Sequence, residues 1–190
     1  PAQIICSNGA KQSVAQAVLA VCGPGDEVLI PAPYWVSYPE MARLAGATPV
    51  TVRGRVADEY KLTPEALEAA ITERTRVLLV NSPSNPTGAV YTPDEVRALA
   101  AVAARYPRLL VVADEIYARV LFDAKHLSMA SIPGMAARTM TINGFSKAYA
   151  MTGWRLGYAA GPQWWVNAMA VIQSQITSGP SSISQKAGIA

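Results

Sequence analysis

Several polar groups stand directly after apolar, strand-like runs. Thr141-Ile142-Asn143-Gly144-Phe145-Ser146-Lys147 places an amine after one run, and Thr152-Gly153-Trp154-Arg155-Leu156-Gly157 places a guanidinium eight positions later. Phe145, Ala148, Tyr149 and Met151 predict an apolar box around Lys147, a setting that lowers an amine pKa and makes it a usable nucleophile or base. An ordinary solvated lysine is the plain alternative. Leu109-Leu110-Val111-Val112-Ala113-Asp114-Glu115-Ile116-Tyr117 ends the most hydrophobic run in an acid, and Asp114 is costly there unless a cation or donor meets it. It could instead cap a helix or hold magnesium, although the P-loop that would accompany a magnesium acid is missing. Asn81-Ser82-Pro83-Ser84-Asn85-Pro86-Thr87-Gly88 packs two Pro, two Asn and a Gly into one loop of defined path. Ser7-Asn8-Gly9-Ala10-Lys11-Gln12 lets the backbone turn at Gly9 and offers the N–H groups of Ala10 and Lys11 at a helix start, a natural anion site, or else a plain tight turn.

The elements that must position these groups alternate short β-rich runs with helical ones. Strands are predicted over Gln3–Cys6, Glu27–Ile30, Thr48–Val52, Arg76–Val80, Leu109–Ala113, Arg138–Ile142 and Leu156–Ala160. Helices are predicted over Ser13–Val21, Val36–Leu44, Thr63 to about Thr72, Thr92–Arg105 and Gln163–Gln175. Thr63-Pro64 supplies a cap followed by Pro at the first helical position, and Thr92-Pro93-Asp94-Glu95 reads as a capping box. Ser178–Ser184, rich in Ser, Gly and Pro, reads as a loop at which a linker or another domain begins. This βαβα order, with strands apolar on both faces, predicts an α/β fold: a mostly parallel sheet with helices on both faces. In such a fold ligands bind beyond the carboxyl ends of the strands, where the polar groups above fall.

Composition narrows the classes. The 190 residues are 51% hydrophobic and 15% charged, enough for a sizeable core. A net charge of +3, from 16 basic and 13 acidic residues without a run of either sign, gives no case for nucleic acid. Cys6 and Cys22 stand apart and His126 is the single histidine, so no metal cluster is expected and the thiols read as buried cysteines of a reducing compartment. No apolar run reaches the ~18 residues of a membrane span. The G-x-G-x-x-G fingerprint fails because Gly23-Pro24-Gly25 precedes a strand and position 28 is Val. The opening Pro1-Ala2-Gln3-Ile4-Ile5-Cys6, apolar from the outset and without Met, reads as the interior of a longer protein.

Asn85-Pro86-Thr87-Gly88, Asp114-Glu115-Ile116-Tyr117 and Ser146-Lys147-Ala148-Tyr149-Ala150-Met151-Thr152-Gly153-Trp154-Arg155-Leu156-Gly157, in this order, resemble the signature of class I pyridoxal-phosphate-dependent aminotransferases. Ser7–Ser13, Pro31–Leu44, Gly144–Gly157 and Ser182–Gly188 are similar to the bifunctional aspartate/prephenate aminotransferases of plastids and bacteria. The resemblance implies a fold type I large domain, incomplete over residues 1–190, with an N-terminal segment and a C-terminal small domain outside it. It implies Lys147 as the residue that links covalently to pyridoxal 5'-phosphate and moves the substrate proton. Asp114 then pairs with the pyridinium nitrogen, and Tyr117 and Asn85 with the ring oxygen, Asn85 also lying near the substrate α-carboxylate. Trp35 stacks on the ring, while Arg155, Ser146 and the Gly9, Ala10, Lys11 turn hold the phosphate. Lys11 also meets the distal carboxylate of a dicarboxylic substrate. Cis peptides precede Pro33 and Pro86. Relatives with a hydroxyl residue three before the lysine differ from this chain, which has Gly144.

The activity so implied is transamination between aspartate or glutamate and oxaloacetate, 2-oxoglutarate or prephenate, by a homodimer in the cytoplasm or plastid stroma that binds neither nucleic acid nor membrane. A lyase or decarboxylase on the same fold, and a relative without catalysis, are the alternatives. The mild basic balance then reflects an anionic cofactor and acidic substrates, and part of the apolar surface is expected to be exposed.

Overall fold

A computed structural model describes residues 1–190. Seven strands form one sheet: β1 (Ile4–Ser7), β2 (Glu27–Ala32), β3 (Thr48–Arg53), β4 (Thr75–Asn81), β5 (Leu110–Asp114), β6 (Thr139–Gly144) and β7 (Gly157–Ala160). Their order across the sheet is β1-β7-β6-β5-β4-β2-β3. Neighbours from β3 to β6 pair in parallel, and β7 runs antiparallel to both β1 and β6. Six helices accompany them: α1 (Ala10–Leu19), α2 (Ser37–Leu44), α3 (Pro64–Ala70), α4 (Pro93–Ala104), α5 (Gln163–Ile176) and α6 (Ser182–Ile189). The predicted α/β architecture is the observed one.

Strand alternation divides the core between the two faces. Val28, Ile30, Val77, Leu79, Leu110 and Val112 pack with α1, α2 and α5, around residues such as Val14, Met41 and Trp165. Leu29, Leu78, Val80, Val111 and Ala113 pack with α3 and α4, around Leu67, Val96 and Leu99. Continuing the alternation past Ala113, Asp114 faces the α1/α2 side and Glu115 the α3/α4 side.

Local signals act as their chemistry requires. Thr63 Oγ1 accepts from Ala66 N, and Thr92 and Glu95 satisfy each other's backbone N–H in a capping box. Three expectations are corrected. Cys6 is exposed and Cys22 only partly buried, because Cys6 lies at the sheet edge beyond which no strand pairs; both thiols are free. Ser182–Ser184 are not loop but the first turn of α6, fixed by tertiary contacts: Ser184 Oγ donates to Trp154 O (2.7 Å), and Gly188 lies against Leu156 and Phe145. Helix α1 begins at Ala10 rather than Ser13, directly after the Gly9 turn. No helix is long and apolar enough to cross a membrane.

Candidate active site

The carboxyl ends of the parallel strands converge on a cavity of about 220 Å³ lined by Ala10, Lys11, Trp35, Tyr38, Asn81, Asn85, Asp114, Ile116, Tyr117, Ser146, Lys147, Thr152 and Arg155. Every residue singled out in the sequence lines it except Gly9, which lies directly beneath Arg155. Arg155 reaches this edge because β7 is reversed: the residues before an antiparallel strand lie beside those after its parallel neighbours.

The Gly9–Arg155 corner is a tight fit. Gly9 has φ 85° and precedes α1 with no side-chain cap, so the first-turn N–H groups face the cavity end of the helix. A Cβ at Gly9 would collide with the Arg155 guanidinium. Arg155, itself at φ 52°, donates from one nitrogen to Thr152 O (2.9 Å) and from the other to Asn8 O (3.3 Å). A guanidinium and a helix start thus meet at one point, a site for a dianion. Gly157 packs so closely that a Cβ there would meet Ala10 N, which fixes the turn against β7.

Asp114 is the last residue of β5 and only 4% exposed. Its Oδ2 accepts from the Tyr38 hydroxyl (2.8 Å) and its Oδ1 from Ile116 N (3.2 Å). Burial pushes its pKa up to about 6, with the Glu115 charge adding to the rise and the two donors opposing it. Tyr38 is the buried residue that sequence reasoning missed. Burial and the Asp114 charge raise its own pKa, so it remains a neutral donor. It lies three positions after Trp35, and the two rings pack edge to face at 5.3 Å. Asn81, also missed, is the register partner of Asp114: its Nδ2 donates to Asp114 O (2.9 Å) and its Oδ1 accepts from Asn85 N (2.8 Å), tying the Pro-rich loop to β5. That loop has cis bonds before Pro83 and Pro86, and a third precedes Pro33; the one before Pro83 was not expected.

Tyr117 sits at the mouth with its phenol pKa raised by burial and the Asp114 charge, the Asn85 side chain acting in the opposite sense. Lys147 Nζ lies 5.9 Å from the centre of the Tyr117 ring. The apolar box expected around Lys147 is not there: the residue is exposed, because Phe145 and Tyr149 pack on each other at 5.5 Å and Tyr149 is itself 53% exposed. Lys11 Nζ stands 4.8 Å over the Trp35 ring. Gly144 has a steric reason. A Cβ there would stand 3.0 Å from both Gly157 Cα and Leu156 O, so a larger side chain would require the β7 backbone to give way. Thr152 instead brings a hydroxyl to the cavity wall, where it donates to Ser146 O (3.0 Å).

The donor set suits pyridoxal phosphate. A buried carboxylate with neutral donors calls for a cation such as a pyridinium N–H, the Gly9–Arg155 corner calls for an anion, and an amine stands between them.

The sequence profile of the family Aminotransferase class I and II matches residues 1–190. The chain is 61% identical over 191 residues to the bifunctional aspartate aminotransferase and glutamate/aspartate-prephenate aminotransferase of Petunia hybrida, covering all of this chain and 40% of that protein. It is 53% identical to the aspartate/prephenate aminotransferase of Cereibacter sphaeroides, covering 48% of it. The crystal structure of the aspartate aminotransferase from Rhizobium meliloti superimposes with a TM-score of 0.97 at 47% identity, over 99% of this chain and 48% of that one. The chain thus spans less than half the length of these relatives. Matched from end to end by profile and by fold, it belongs to the class I and II aminotransferase family.

Proposed function

We propose that this chain is the greater part of the cofactor-binding domain of an aminotransferase that moves the amino group of aspartate or glutamate to a 2-oxo acid, oxaloacetate or 2-oxoglutarate, with prephenate as a further acceptor. The observation that carries the reading is the meeting, in one cavity, of the Tyr38-held Asp114 carboxylate, the Lys147 amine and the Gly9–Arg155 anion corner.

Pyridoxal phosphate, when bound, supplies an electron-withdrawing ring and a carbonyl carbon that an amine can hold. Lys147 Nζ would anchor it, and the same nitrogen, when free, would take and return the proton at the substrate Cα. Asp114 accepts from the ring N–H and keeps it protonated, while Tyr38 and Ile116 N hold the carboxylate in line. Tyr117 and Asn85 donate to the ring oxygen, and Trp35 covers a ring face. Arg155, Ser146 and the N–H groups of Ala10 and Lys11 hold the phosphate. Lys11 Nζ, at the cavity mouth, receives the distal carboxylate of an acidic substrate, and Asn85 lies near its α-carboxylate. The complete protein works as a homodimer, in cytoplasm or plastid stroma, with an N-terminal segment and a small C-terminal domain beside the residues described.

The test is acceptor dependence in the complete protein. With L-aspartate and 2-oxoglutarate the amino group should appear in glutamate only when the 2-oxo acid is present, and prephenate should compete. Release of carbon dioxide or ammonia without an acceptor would favour a decarboxylase or lyase.

A further inference from the structure

Two acids end β5, and only one faces the cavity. Glu115 points to the opposite face, where it is 7% exposed. No Lys or Arg lies within ion-pair distance of its carboxylate. Its Oε1 accepts from Ser128 Oγ (2.7 Å), and its Oε2 is 2.9 Å from His126 Nε2, which is buried and not aligned for a hydrogen bond. Both partners lie at the far end of the segment that leaves β5 through Tyr117. Ser128 is a fixed point. Its carbonyl accepts from Ser131 Oγ (2.7 Å), and the next residue, Met129, is 3% exposed in the core beneath α4. Between the two ends the chain arches into solvent, with Val120 at 42% and Phe122 at 95% exposure. Two turn hydrogen bonds, Ala118 N to Glu115 O (2.9 Å) and Val120 N to Tyr117 O (2.8 Å), shape its first part, and the Glu115 carboxylate closes it at the base.

We propose that Glu115, with Ser128 and His126, is a latch that closes the 116–128 loop and thereby positions Tyr117 at the cavity. A buried carboxylate that lacks a permanent cation is costly unless its donors are held in place, so the acid and the returning segment fix each other. Asp114 acts on the pocket side of the strand and Glu115 on the far side sets the loop carrying its neighbour Tyr117. Glu115 is a positioning residue, not a catalytic one. The part played by Tyr117 rests on the function proposed above; the closure of the loop does not.

Two measurements on the complete protein separate these. In cofactor-free protein, hydrogen exchange of the amides in 117–127 should rise about tenfold in Ser128→Ala and more in Glu115→Ala, with the amides of β5 unchanged. Glu115→Gln, which keeps an acceptor oxygen, should restore most of the protection. Unchanged exchange in the loop, or a uniform rise through the whole chain, would overturn the latch. In cofactor-loaded protein, Ser128→Ala should move the pH midpoint of the visible band in the same direction as Tyr117→Phe and add nothing in the double variant. Additive shifts would show that the latch acts without Tyr117 and overturn that part. Should Glu115→Ala fail to fold, Ser128→Ala carries both tests.

Discussion

Asp114 holds the least favourable charge in the cavity. Its carboxyl titrates near 6 in the folded chain against an ordinary 3.8, so between these values the native state binds the proton that the unfolded chain has lost. Its contribution to stability therefore falls as pH rises from about 4 to 6. Two pH units correspond to about 3 kcal/mol. In cofactor-free protein the unfolding free energy of the wild type should drop relative to Asp114→Asn by about 2–3 kcal/mol between pH 4 and pH 7, read by urea titration. A difference that does not change with pH would show that the carboxyl titrates normally. A pyridinium against Asp114 reverses the effect by favouring the ionised form, so saturating cofactor should abolish it. Tyr38→Phe removes the hydroxyl donor and pushes Asp114 further toward the neutral acid. Loss of a bond to a charged group costs about 1.5–3 kcal/mol, so cofactor affinity measured by fluorescence titration should fall roughly tenfold or more. Unaltered affinity would mean that Ile116 N alone holds the carboxylate.

Elements carry the site because each chemical group sits at an end, not in the middle, of a helix or strand. Gly9→Ala should test the α1 start, where a Cβ meets Arg155 and φ is 85°. Strain of about 1–3 kcal/mol is expected, with cofactor affinity reduced along with stability. Thr92→Ala, which opens the α4 capping box remote from the cavity, should cost about 1 kcal/mol in thermal unfolding and leave cofactor affinity alone. Equal effects on affinity from both would deny the special place of the Gly9 corner. The capping box and the Thr63-Pro64 start were legible in the sequence because their partners lie three residues away. The positions of Asp114 at the end of β5, of Asn85 and Lys147 just after β4 and β6, and of Arg155 just before β7 were legible because each adjoins an apolar run in the sequence. Tyr38 was not, since its partner Asp114 is 76 positions away and a tyrosine on an amphipathic helix looks like any core residue. The exposure of Lys147 was not legible either, because apolar neighbours in sequence can pack on one another instead of on the amine. Ser182–Ser184 misled because their composition suits a loop, whereas Trp154, Leu156 and Phe145 hold them as a helix.

At the scale of the molecule, the sheet places an anion corner, a carboxylate and an amine along one edge, and the reversal of β7 is what brings Arg155 to it. Large apolar side chains remain open to solvent elsewhere: Ile176, Ile183 and Ile189 are 64%, 73% and 80% exposed, and Val171 67%. Such a surface suits burial by further protein, in line with the proposed longer dimeric enzyme. This chain alone is therefore expected to bind cofactor weakly and turn over little; equal activity beside the complete protein would overturn that reading. The central claim is that Lys147 and Asp114 together hold pyridoxal phosphate at this cavity, and borohydride trapping in the complete protein tests it most directly. After reduction of the loaded protein, the account predicts the cofactor on the peptide containing Lys147, a visible band that moves when L-aspartate is added before reduction, and no label in Lys147→Ala. Label on another lysine, or a band that ignores aspartate, would contradict it.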